Sequence, residues 1–175
     1  SSSAASDVYK RQANNNITPG GNYGTQIEGG TSNNTNITGG TINNGTGFHH
    51  FDQFQVGQGG TANLIFAEGA DRYVNMVNNQ VSIYGIFNAL KGGNIGGDVI
   101  FVSPGGLIVG SSGIMNVGSL QTITPSLTDY NRVLGTTNLS DITSLLSNST
   151  SSSTRIDGKI FAKDSINIAD GRSVT

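Results

Sequence analysis

The chain has 175 residues, no cysteine, a net charge of −2 and only 11% charged residues, where a typical globular protein has about 25%. This excludes disulfide and thiolate chemistry, and the absence of a basic stripe argues against nucleic acid, whose non-specific affinity comes mostly from phosphate neutralisation. No run approaches the roughly 20 apolar residues of a membrane-spanning helix, and 34% hydrophobic residues with 26 glycines and 3 prolines predict an ordered, weakly charged, β-rich body.

Residues 1–12 differ in character from the rest of the chain. They hold the adjacent pair Lys10-Arg11, no glycine, and none of the apolar core of a signal peptide. We read them as a non-native leader and start the domain at Ala13. Between 13 and 47 an Ile and a Gly pair recur at Ile17-Thr18-Pro19-Gly20-Gly21, Ile27-Glu28-Gly29-Gly30 and Ile37-Thr38-Gly39-Gly40. Few apolar side chains lie between them, so the segment is expected to form short strands, exposed on one face, that cap a larger β body. Phe48, Phe51, Phe54 and Val56 come next and are expected to plug the end of its core. Residues 61–66 and 81–87 read as strands, and 70–77 as one or two helical turns with Tyr73, Val74 and Val77 on one face.

Residues 97–118 hold three Val- and Ile-rich runs, at 99–102, 107–109 and 114–117, separated by Ser-Pro-Gly-Gly and Gly-Ser-Ser-Gly. Each run is too short for a helix, and each is closed by residues that force a turn. Three strands and two tight corners in roughly 20 residues predict one coil of a parallel β-helix. Residues 120–123 continue the pattern. It lapses over 126–154, an excursion with a short helix at 139–146 capped by Ser140 and a Ser/Thr/Asn loop at 147–154. The pattern resumes at 156–162 and 165–169 and stops without a closing cap, as expected of a domain truncated at its C-terminus. The fold class is thus all-β: a single-stranded parallel β-helix over 13–175.

Chemistry-bearing residues are sparse. His49-His50 is the only histidine pair, and neighbouring strand residues face opposite ways, which makes i, i+1 a poor metal site. We read the pair as structural, one ring packed near Phe51 and the other in water. The acids Glu28, Asp52, Glu68, Asp71, Asp98, Asp129, Asp141, Asp157, Asp164 and Asp170 stand singly. Glycan-cleaving β-helices gather such groups in one groove, so the residues argue against an enzyme, and no metal or cofactor is expected. Asn-x-Ser/Thr at Asn16, Asn33, Asn36, Asn44, Asn138 and Asn148 is what a chain this rich in Asn and Thr yields by chance, and the threonines do not recur at one coil position.

Gly47-Phe48-His49-His50-Phe51-Asp52-Gln53-Phe54-Gln55-Val56 with Gly59-Gly60-Thr61-Ala62-Asn63-Leu64-Ile65-Phe66 resembles the N-terminal secretion domain of filamentous-haemagglutinin-like exoproteins, the exported partner in two-partner secretion. Ile83-Tyr84-Gly85, Gly96–Phe101, Ser103–Leu107, Asn116–Leu120 and residues 157–169 add to the resemblance, which covers most of 13–175. It implies a right-handed parallel β-helix capped at its N-terminus. It also implies recognition in the periplasm by the periplasmic domains of an Omp85-type outer-membrane transporter. Phe48, His49, Phe51, Phe54, Ala62 and Asn63 match the family's early motif. Ser103, Pro104, Gly105, Gly106 and Leu107 fall at its marker turn, usually Asn-Pro-Asn-Gly-Ile, with Ser103 and Gly105 in place of the two asparagines. There Ser is expected to form a weaker side-chain turn and Gly105 to take positive φ. The implied function is the secretion domain of a large bacterial surface adhesin, a monomer outside the cell with no membrane insertion, which nucleates folding of later coils. The alternative is a module that itself binds host cells or glycans.

Overall fold

Short β-branched and aromatic runs broken by Gly, Asn and Ser favour strands over helices, and in the computed structural model the chain is mostly β, with one large mixed sheet. The structure describes residues 13–150, 153–168 and 173–174. The leader at 1–12, Ser151 and Ser152 of the expected loop, and the end of the last expected strand at Ala169 lie outside the described residues.

The described residues begin with β1 (Asn16–Pro19), β2 (Thr25–Glu28), β3 (Asn34–Gly39) and β4 (Thr41–Asn43). The long β5 (Thr46–Val56) comes next, then β6 (Thr61–Ile65), β7 (Arg72–Val77), β8 (Val81–Ile83), β9 (Ile86–Lys91) and β10 (Asn94–Ile95). After these stand β11 (Asp98–Val102), β12 (Leu107–Val109) and β13 (Ile114–Ile123). Two helices, α1 (Leu127–Val133) and α2 (Leu139–Thr143), precede a 3-10 turn at Ser144–Asn148. Strands β14 (Arg155–Ile156), β15 (Lys159–Asn167) and β16 (Ser173–Val174) complete the described elements.

The strands pair in parallel in three stacks. The first stack joins the first half of β5 to β7, β11, the second half of β13 and the end of β15. The second joins the end of β5 to β8, β12 and β14. The third joins β3, β6, β9, the start of β13 and the start of β15. Three antiparallel strands lie at the N-terminal edge, β1 and β4 on the far side of β5 and β2 on the far side of β3, and two further antiparallel pairs, β9–β10 and β15–β16, lie elsewhere. Ile17 and Ile37 bring those strands into the main core, and buried Asn15 ties them to it. Its amide donates to Thr35 Oγ1 and Thr61 O and accepts from Gly57 N–H, so every bond this buried amide needs is made close by.

The main core fills the space between the stacks with Phe51, Phe54, Tyr73, Phe87, Phe101, Val99, Leu107 and Met115 among others. Its edge-on aromatic pairs include Phe51 against Phe54 at 4.9 Å and Phe54 against Phe101 at 5.2 Å, an arrangement that ring quadrupoles favour. A second apolar cluster lies on the outer face of the first stack. There Phe48, Val74, Met76, Ile100, Val102 and Ile123 are covered by Tyr130, Val133, Ile142 and Leu145 of the helical excursion.

Several expectations change. Residues 72–77 are a strand, not a helical turn. Tyr73, Asn75 and Val77 face in while Val74 and Met76 face the helices, so both faces are buried and the period-2 pattern disappears from the sequence. Phe48 does not plug the core; it points the other way, into the outer cluster. The repeat is longer than 20 residues: Asn36, Asn63, Asn88 and Asn116 occupy matching positions 27, 25 and 28 residues apart. The three runs in 97–118 nonetheless fall on three different stacks. Helix α2 is capped by Asn138, whose Oδ1 accepts the Ser140 N–H, and not by Ser140. Helix α1 is absent from the sequence expectations, although Ser126 caps it by accepting the Asp129 N–H and Gly135 stands just past its end.

Candidate functional site

Residues of the early motif and of the marker turn meet at the corner between the first and second stacks. Three segments pass from the first stack to the second there: Asp52-Gln53 inside β5, Asn78-Asn79-Gln80 between β7 and β8, and Ser103–Gly106 between β11 and β12. Side chains join them. Asn79 Nδ2 donates to Asp52 O at 2.9 Å, Asn78 Nδ2 to Asp52 Oδ1 at 3.1 Å, and Ser103 Oγ to Asn79 O at 2.8 Å. The Gly105 N–H donates back to Ser103 Oγ at 3.1 Å, which is the side-chain turn expected of a serine here. The positive-φ residue is Gly106, at +77°, and not Gly105. A Cβ on Gly106 would run into Ser153. Leu107 then enters the core in register with Val81, which pairs in turn with Phe54.

Much of the marker turn is therefore inside the molecule. Ser103 is 2% exposed, and Gly106 and Leu107 are buried as well. A partner reading this corner meets Asp52, Asn79 and Gln80, with Pro104 and Gly105 half-buried between them. The Asn78-Asn79-Gln80 level is not among the sequence expectations. Its signal is a run of turn-forming side chains that lacks glycine and proline.

Both histidines are buried, at 0% for His49 and 5% for His50, so the expectation of one wet ring is corrected. His49 faces the core, stacked on Tyr73 at 4.7 Å and 5.6 Å from Phe51, with Nδ1 3.0 Å from Thr25 Oγ1. Burial lowers its pKa to about 3. His50 faces out, toward the helical excursion. Its Nδ1 accepts the Asn22 N–H, so Nε2 carries the hydrogen and donates to Asn78 Oδ1 at 2.8 Å. The same oxygen accepts the Tyr130 hydroxyl at 2.9 Å, and burial raises the Tyr130 pKa.

Ala62 and Asn63 lie away from this corner, on the third stack. Ala62 points into the core and Asn63 outward. Asn63 belongs to a ladder that the sequence expectations do not include. Asn63 Nδ2 donates to Asn36 Oδ1, Asn88 Nδ2 to Asn63 Oδ1, and Asn116 Nδ2 to Asn88 Oδ1, at 3.0, 3.1 and 3.0 Å. Four asparagines at intervals near the repeat length are its signal.

Among the described residues carboxylates at four sites face cations: Asp71 to Lys91, Asp98 to Arg72, Asp129 to Arg132 and Asp157 to Arg155. Lys91 holds the exposed Asp71 carboxyl below its usual range. Among the described residues no three His, Asp or Glu side chains gather as a metal site, and no helix is long and apolar enough to cross a membrane. The corner's hydrogen bonds fix shape and present amides and one carboxylate to solvent. Comparison of the chain with protein-family models, curated proteins and solved structures found no match.

Proposed function

We propose that residues 13–175 form a right-handed, single-stranded parallel β-helix that serves as the secretion domain of a large bacterial surface exoprotein. In this reading an Omp85-type outer-membrane transporter recognises the chain in the periplasm, and the domain nucleates folding of the later coils outside the cell. The observation that carries the reading is the pairing itself. Three stacks repeat in parallel at similar intervals, with antiparallel strands β1, β2 and β4 at the N-terminal edge. Each level buries its apolar side chains against its neighbours, which suits a chain that folds by adding levels to a finished start. The residue resemblance of 47–66 and 97–120 to two-partner-secretion domains supplies the direction and the partner.

Export tests it. The chain, placed behind a signal peptide, should reach the culture medium when a cognate Omp85-type outer-membrane transporter is co-expressed, and should stay in the periplasm without it. Deletion of residues 97–118 should abolish export with transcript intact. Release without the transporter, or normal export of the deletion, overturns the proposal. Binding of the purified chain to cells or glycans, with none to the transporter's periplasmic domains, favours the adhesin module instead.

A further inference from the structure

We infer that residues 126–148 act as a strap that locks the N-terminal strands onto the first stack, with Tyr23 as its clasp. The two partners lie far apart in sequence. The Tyr23 hydroxyl donates to Thr136 O at 2.7 Å and accepts the Gly135 N–H at 2.8 Å, so both of its hydrogen-bonding roles are spent on the strap. Its ring packs on Phe48, 5.6 Å between centroids. Asn43, on β4, adds a second tie by donating to Thr137 O at 2.8 Å. A third runs through Asn78, whose Oδ1 receives Tyr130 from the strap and His50 from β5, while His50 in turn accepts the Asn22 N–H.

The local physics on each side calls for the other. Helices α1 and α2 are far shorter than a helix that persists alone in water, so docking of Tyr130, Val133, Ile142 and Leu145 on the outer cluster is what orders them. Tyr23 has φ of +72°, a region that aromatic L-residues rarely adopt. Its clasp on the strap and the Thr41 hydroxyl bond to its carbonyl hold it there. The N-terminal segment around 20–26 and the strap thus form one cooperative unit, distinct from the interior levels β9 and β12. The inference does not depend on the export reading, and its test needs only the purified chain.

Native-state hydrogen exchange on the full chain decides it. Tyr23→Phe removes one hydroxyl and keeps the ring. It should speed exchange at both 20–26 and 133–139 by about tenfold, the scale of one or two lost hydrogen bonds, and leave β9 and β12 unchanged. Leu145→Ala, at the far end of the strap, should also speed exchange at 20–26. Acceleration confined to the strap in both variants, or equal acceleration everywhere, overturns the inference.

Discussion

At the residue scale, His49 shows what the alternation of strand side chains predicts and what it does not. That one of two adjacent histidines packs near Phe51 follows from β geometry alone. The burial of the other does not, because the groups that meet its ring, Asn22 and Asn78, are distant in the chain. The inward ring carries a pH consequence. Its folded pKa of about 3 lies below the ordinary histidine value of 6.5, so in this range the unfolded chain binds a proton that the folded chain refuses. Stability therefore falls as pH drops from 6.5 toward 3, and is unaffected by this group at higher pH. One such proton costs about 2 kcal/mol between pH 7 and pH 5. Urea unfolding at those two pH values should lose about that much more in the parent than in His49→Phe; equal losses would show that His49 is not the group.

At the element scale, the strands are legible and their edges less so. Where one face meets the core and the other meets water, as in β6, the sequence alternates and the strand is plain. Where both faces are covered, as in β7, apolar residues run together and resemble half a helix. Helix α1 is hidden for a different reason: its apolar positions match an outer sheet face whose existence the strand pattern does not reveal. The corners between the second and third stacks are fixed by close approach. The backbone N–H after each corner residue bonds to the corner residue below: Ile86 to Gly60 O, Ile114 to Gly85 O and Lys159 to Gly113 O. A Cβ on Gly85 would run into the carbonyl oxygens of Gly57 and Gly60. Both obstacles are backbone, which yields less readily than a side chain, so Gly85→Ala should cost more than about 2 kcal/mol. Gly69→Ala is a control, since open space surrounds a Cβ there and only its positive φ resists. Similar chemical-denaturation midpoints for the two variants would refute the steric account.

At the scale of the whole molecule, the sequence conveys a β body with three runs per level and an excursion, because turn residues and run lengths are local. It does not convey the level spacing, which depends on loops such as the β9–β10 hairpin that lengthen some corners and not others. The asparagine ladder records that spacing. Asn88 donates to Asn63 and accepts from Asn116, whereas Asn116 contributes the single bond to Asn88. Asn88→Ala should thus cost about 1 to 2 kcal/mol and Asn116→Ala about half as much. Equal costs in urea titrations would show that the bonds do not act as a series. The ladder also has a sense of direction. Each of the three bonds runs from the N–H of one asparagine to the oxygen of its N-terminal neighbour, so the bond dipoles add along the row and each bond polarises the next. In β15 the matching position is Phe161, which has no amide to extend the row. The row works as a tally written in one direction: each new level that brings an asparagine is read against the last, and the tally closes where an aromatic ring takes the place of the fifth mark.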